Sequence, residues 1–312
     1  MKKTVLFSLF LLMGLTTACT KCPEQSTKVG GRYVPERKDD FAWENEYAAF
    51  RLYGPALAPE NPSNGVDLWL KHTPELIVDT FYHSELVLHR PYHINYGKGL
   101  DCYKVAHTAG CGGVVIMADE RLWIGGPYSR WEILEQTPDH FSFRLYYDSV
   151  LVGSQVLAET LTISARAGSL WNQADVVLYA PEGTEPVTAP LLLGGGIYLH
   201  DSIDHYFINE HSGLAAYAED ALSDKQAAIM NQEFNGSTSQ GRSYVAVRTP
   251  GAKRMEVVDG TLVSLRAYQL GDTLTYYFAG GWSEYSACDK CREKGERLFP
   301  SDEAWFEAVN KD

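Results

Sequence analysis

The sequence predicts an all-β protein, mainly antiparallel, in one large domain. Three observations carry this. From Asp40 onward apolar and polar residues alternate with period two, the repeat of a strand with one buried face. Turn residues interrupt the chain at short intervals, as in a sandwich or barrel and unlike alternating βαβ units. Only two segments carry a helical pattern. One is Glu75 to Ser84, with Ile77 and Phe81 a turn apart. The other closes the chain: Ser301 caps, Asp302 and Glu303 fill the first turn, and Trp305, Phe306 and Val309 make an apolar stripe.

The chain opens on a leader. Lys2 and Lys3 precede an apolar run from Val5 to Leu15, and Thr16, Thr17 and Ala18 lead into Cys19. The run is too short to cross a bilayer, and its flanks are those of a secretory signal. A cysteine directly after small residues points to lipoprotein processing, with a diacylglycerol on its thiol. One acyl chain holds a protein marginally, whereas several anchor it stably. The expected organisation is a signal peptide over 1–18, a lipidated tether over 19–39 and a single β domain over 40–312. The expected location is the cell envelope, at the periplasmic face or outer membrane, with the bilayer a partner through Cys19. Pro23, Gly30, Gly31 and Pro35 make the tether a spacer without periodic apolar residues.

Within the domain, Phe41, Trp43, Asn45, Tyr47 and Ala49 share one face of a first strand. Gly113 to Ile124 reads as a hairpin turning at Asp119-Glu120, and Pro138-Asp139 joins strands over Tyr128 to Thr137 and His140 to Asp148. Thr160 to Arg166 and Leu170 to Ala180 form a hairpin across Ala167-Gly168. Further strands are expected at Ala189 to Leu193, Gly196 to Leu199, Leu214 to Ala218, Ser243 to Thr249, Thr261 to Leu270 and Thr273 to Gly280.

The formal charge is −13, and −15 once Lys2 and Lys3 leave with the signal. That balance argues against nucleic acid and anionic lipid surfaces as partners, while a local basic cluster still allows an anionic sugar. A Gly-x-Ser-x-Gly elbow, a phosphate-binding glycine loop and a His-Glu-x-x-His zinc helix are absent from the sequence, and no cofactor is expected. In an oxidising compartment disulfides are the default. Cys288-Asp289-Lys290-Cys291 reads as a local disulfide or unpaired thiols; Cys102 and Cys111 are close enough in sequence to pair, and Cys22 is spare.

Two segments look chemical. His93, Lys98, Asp101, Lys104 and His107 fall within fifteen residues, among Tyr92, Tyr96, Tyr103 and several glycines. Imidazole moves protons near neutral pH, and lysine pairs with carboxylates. The second is Gly194-Gly195-Gly196-Ile197-Tyr198-Leu199-His200-Asp201, with Asp204 and His205 beyond. Successive glycines in a strand suggest close approach to another backbone or a ligand. The His/Asp spacing fits no metal template, and no metal is expected. Glu44 and Glu46 share the face opposite Trp43 and Tyr47, more simply a solvated face than an acid or base. Trp69, Trp123, Trp131 and Trp282 are sugar platforms or, more commonly, core.

Several of these segments resemble a bacterial family, domain of unknown function 4861. They are Trp43 to Pro55, Gly65 to Trp69, Gly97 to Val105, Gly110-Cys111-Gly112-Gly113, Gly194 to Asp201, and Tyr276 to Trp282 with the closing helix. The resemblance implies a galactose-mutarotase-like β-supersandwich and a setting among Bacteroidetes genes for polysaccharide breakdown. Mutarotases use a glutamate base and a histidine acid. His93, His107 and His200 are available as the acid, and Glu46 and Glu219 are the glutamates put forward as the base.

The functional expectation is a lipoprotein that processes uronate-containing oligosaccharides by histidine-mediated proton transfer, as epimerase, lyase or hydrolase. His93, His107, His200 and Glu46 are the expected catalytic residues. Arg51, Lys98, Asp101, Tyr103, Lys104, Tyr198 and Asp201 are expected to bind the oligosaccharide or polysaccharide fragment. The alternative is a glycan-binding lipoprotein without turnover.

Overall fold

The computed structural model describes residues 27–184, 190–200, 205–222 and 239–311. The fold is all-β and antiparallel, with three short α-helices among the described residues. Cys19, Cys22, Asp201 and Asp204 lie outside them. No described helix is long and apolar enough to cross a membrane.

The first sheet is a five-stranded meander in chain order: β1 (Gly30–Val34), β2 (Asp40–Glu44), β3 (Ala48–Leu52), β4 (Asp67–Lys71) and β5 (Gly99–Asp101). Two expectations are corrected here. Gly30–Val34, placed in the tether, pairs with β2 along its whole length, so the fold begins before residue 40. The first strand is also two strands. Asn45 breaks it, its Oδ1 accepting the N–H groups of Tyr47 (2.9 Å) and Ala48 (3.0 Å) and fixing the reversal. Helix α1 (Val78–Leu86) starts three residues later than the pattern suggests, because the Glu44 carboxylate accepts the N–H of Ile77 (2.8 Å) and Val78 (2.9 Å) there. Far from a solvated face, Glu44 is buried and paired with Lys71 at 2.9 Å. Phe81 and Tyr82 of α1 cover Trp69, Ala42 and Ala49 on one side of the meander.

The second sheet has eight strands, ordered β13 (His205–Asn209), β14 (Leu214–Asp220), β15 (Arg242–Arg248), β18 (Leu274–Trp282), β11 (Trp171–Tyr179), β10 (Gln155–Arg166), β9 (His140–Val152) and β8 (Arg130–Gln136). The third has five: β16 (Arg254–Val258), β17 (Thr261–Tyr268), β12 (Leu191–Tyr198), β6 (Cys111–Ala118) and β7 (Arg121–Trp123). The hairpins expected at Asp119-Glu120, Pro138-Asp139 and Ala167-Gly168 all form. The strands expected on either side of Gly194-Gly195 are instead one continuous strand, β12.

The eight-stranded sheet forms one layer, and the two five-stranded sheets lie side by side against it. β18 touches β3 and β4 of one and β6 and β12 of the other. The core between the layers is aromatic: Phe41 stacks on Phe143 with centroids 4.1 Å apart, and Trp43, Phe50 and Phe278 close around them. The triple glycine serves this packing. A Cβ at Gly194 would lie 2.0 Å from the Ser264 carbonyl oxygen, and one at Gly195 would lie 2.8 Å from the Tyr276 ring. β12 thus approaches other protein there, not a ligand.

Helix α2 (Asp289–Glu293) begins at the Cys288–Cys291 disulfide. Helix α3 (Asp302–Lys311) is capped by Ser301 and seats Trp305 on Tyr244 of β15, the rings stacked at 5.5 Å. Cys102 and Cys111 do not pair: Cys111 is buried on β6 and Cys102 is half-buried just after β5.

Candidate active site at the end of the sandwich

The strongest constellation lies where β12 and β14 end together. Alternation along β14 puts Tyr217 and Glu219 on the same face, and Glu219 pairs in register with Ser243 on β15. Two residues beyond the end of β12, His200 reaches this group. Its Nδ1 lies 2.7 Å from Glu219 Oε2, and its Nε2 lies 2.6 Å from the Lys104 carbonyl oxygen. The Tyr217 hydroxyl donates to the same Glu219 oxygen at 3.1 Å. Tyr103 and Tyr198 stand edge-on to the imidazole at 4.7 and 5.2 Å. Tyr103 is itself fixed by its hydroxyl, 3.0 Å from the carbonyl oxygens of Gly110 and Tyr198.

Both partners of the imidazole are acceptors, so both ring nitrogens must carry hydrogen. The geometry therefore selects the imidazolium. The electrostatics agree: burial works against the charge, but the hydrogen bond and charge of Glu219 outweigh it and raise the His200 pKa. A pocket of about 180 Å³ opens beside the pair, lined by Cys102, Lys104, His200, Glu219, Asp220 and Leu222. That is small for a ligand pocket, typically ~300–1,000 Å³.

The other expected site residues are distributed elsewhere. Arg51 and Asp101 are buried, not exposed to a ligand. Arg51 donates from Nε to Asp67 (2.9 Å), from Nη1 to the Tyr92 hydroxyl (2.9 Å) and from Nη2 to Asp101 (3.2 Å). The rings of Tyr53, Trp69 and Tyr92 enclose the guanidinium within 5.4 Å. Asp40 lies 3.6 Å from the same guanidinium, so three carboxylates surround Arg51, with the charge of Arg37 also acting on Asp40 and Asp101. Burial raises Asp67 to about 7 and Asp101 to about 6, although Arg51 pulls both down. This network joins β2, β3, β4 and β5, and its cation is already taken up by protein groups. His93 belongs to its rim, with Nδ1 3.0 Å from the Asp101 carbonyl oxygen.

Glu46 sits in the β2–β3 turn, paired with Lys28 at 3.1 Å and accepting the Gly168 N–H, so it ties that turn to the β10–β11 turn. Lys98 is exposed and pairs with Glu75 at 2.9 Å. Lys104 lines the pocket and supplies its carbonyl to His200. His107 is exposed in the connection before β6 and does not line that pocket. Of the tryptophans, Trp69 and Trp282 are core; Trp123 is half-buried and Trp131 stacks on Tyr33 at 4.9 Å. His205 pairs with Asp302 at 3.1 Å, turned toward α3.

One histidine escapes a reading by sequence clusters. His72, just after β4, packs against Trp282 with the rings tilted and 4.3 Å apart, lies 3.1 Å from Asn95 Nδ2, and has its pKa lowered by burial. Its only sequence signal is its place at the end of an apolar strand.

The chain is similar to the "Uncharacterized protein P7" of Formosa agariphila, 26% identical over 265 residues. That alignment takes in 81% of this chain and 65% of the relative, so the chain spans less than two thirds of the relative's length. A family model described as "Domain of unknown function (DUF4861)" matches residues 16–293, everything but the first fifteen residues and the segment carrying α3. The chain belongs to the DUF4861 family.

Proposed function

We propose that the protein is an envelope lipoprotein, held through Cys19, that processes a uronate-containing oligosaccharide by proton transfer at His200. The observation that carries this is the His200–Glu219 pair beside a pocket, with both imidazole nitrogens protonated. Glu219 holds Nδ1–H throughout and fixes the ring. The Lys104 carbonyl occupies Nε2–H until a substrate oxygen replaces it; that proton then passes to the oxygen, and neutral Nε2 becomes the base for the return step. Tyr103 and Tyr198 keep the ring from rotating. Epimerisation, elimination and hydrolysis all fit such a cycle.

The test is a panel of uronate oligosaccharides incubated with the purified protein and read by mass spectrometry. Gain of one water marks hydrolysis, cleavage without water marks elimination, and unchanged mass with an altered anomer marks epimerisation. Turnover should vanish in His200→Ala; unaltered turnover sinks the proposal.

One observation favours the second reading, glycan binding without turnover: the 2.6 Å bond from Nε2 to the Lys104 carbonyl oxygen keeps the acidic proton off the pocket. Under that reading oligosaccharides are retained unchanged, and retention survives His200→Ala.

A further inference from the structure

A second pocket, of about 200 Å³, lies between α1 and the segment 88–99. Its floor is aromatic, from Phe81 and Tyr92, and its rim carries Tyr96, Arg90, Lys98 and His83. Tyr96 is half exposed, with the Arg90 guanidinium 6.0 Å above its ring. No described carboxylate pairs with Arg90. Among the described residues Lys98 pairs only with Glu75, and both side chains are about half exposed (47% and 56%). Exposed ion pairs contribute ~0–1 kcal/mol, so Lys98 exchanges that partner for a ligand at little cost. The walls are held in place: the Ser84 hydroxyl donates to the Arg90 carbonyl oxygen at 2.9 Å, and Arg51 fixes the Tyr92 hydroxyl. Gly99 pins the floor, since a Cβ there would lie 1.8 Å from the Leu70 carbonyl oxygen.

We infer that this pocket binds a single carboxylate-bearing sugar ring, a subsite apart from His200. The inference rests on the carbohydrate reading above. Two cations at the rim of an otherwise acidic chain complement a carboxylate. Tyr96 offers a flat face for the ring's C–H surface, and the floor buries its apolar edge. The pocket's small size fits one ring, with the rest of a chain extending outward. Val87 and Leu88 are exposed nearby and raise the question of a lipid surface. Concavity favours the sugar, because a lined recess encloses a ring whereas a bilayer meets a flat or convex face.

The experiment titrates the purified protein with a glucuronate-containing tetrasaccharide by calorimetry, beside the same oligosaccharide with its carboxyls reduced to alcohols. The reduced form should bind at least about tenfold more weakly. The double variant Arg90→Ala, Lys98→Ala should lose about tenfold for the acidic form and little for the reduced one. Tyr96→Ala should weaken both. Equal binding of the two sugars, or acidic-sugar affinity untouched by the double variant, overturns the subsite. So does binding to phosphatidylglycerol vesicles without affinity for either sugar. Affinity that depends on Arg90 and Lys98, with no turnover, sinks the catalytic proposal alone; turnover indifferent to them sinks this one alone.

Discussion

Glu159 on β10 faces Tyr147 on β9 across the ladder, and both side chains point into the core. Glu159 is fully buried. Neither of its carboxylate oxygens, nor the Tyr147 hydroxyl, has a hydrogen-bond partner among the described residues. Burial alone pushes the Glu159 pKa from 4.5 up to about 8, since the carboxylate loses hydration and gains no donor. Between those values the native state holds a proton that the unfolded chain has released. Stability therefore falls as pH rises through that window and levels off above about 8. At ~1.4 kcal/mol per pH unit the window amounts to on the order of 5 kcal/mol, an upper value once neighbours relax. Glu159→Gln keeps the shape and cannot ionise. Urea unfolding of both proteins at about pH 5, 7 and 9 gives stabilities extrapolated to water. The variant should gain on the parent by several kcal/mol from the lowest to the highest pH. Parallel pH dependences would refute the reasoning.

Arg51→Met leaves Asp40, Asp67 and Asp101 without their cation and should cost roughly 3–5 kcal/mol at neutral pH. The loss should shrink below about pH 6, where Asp67 and Asp101 take up protons, and urea midpoints at two pH values read it. Gly195→Ala drives a methyl into the Tyr276 ring and should cost about 1–3 kcal/mol, seen as a lower melting temperature. His200 has a raised pKa, so its bond to Glu219 is fully present below the unfolded value of 6.5 and is lost as pH rises through the folded one. Glu219→Gln should lower the His200 titration midpoint followed by NMR; an unmoved midpoint contradicts the pairing.

The long central strands were legible because one face of each is apolar, as in β9, β10 and β11. The edge strands β1, β13 and β16 were not, whereas the edges β7 and β8 were found through their hairpins. β13 and β16 have exposed or half-exposed residues throughout, and β1 carries polar residues on both sides, so period two had nothing to mark. Asn45 split a run whose alternation continues through it, because a side chain that bonds its own backbone two residues on leaves no trace in hydropathy. At the site, His200, Tyr103, Tyr198 and Lys104 were legible by type, and the fold brings them together. Arg51 and Asp101 were misread because charge in sequence does not reveal which face of a strand it occupies. Here β3 and β5 turn both toward the α1-covered side of the meander, where they neutralise each other.

The order of strands in the eight-stranded sheet has a consequence for how the protein comes into being. β11 has no partner on one side until β18 arrives, Trp171 pairing with Ala279 more than a hundred positions later. β18 is also the strand against which both smaller sheets rest. The chain must therefore be present through β18 before the aromatic core can be sealed. Until then the part of the meander that packs on β18, at Trp43, Phe50 and Leu68, stays uncovered. Chains truncated before Leu274 should be aggregation-prone, and the final strand acts as the keystone that converts three open sheets into one protein.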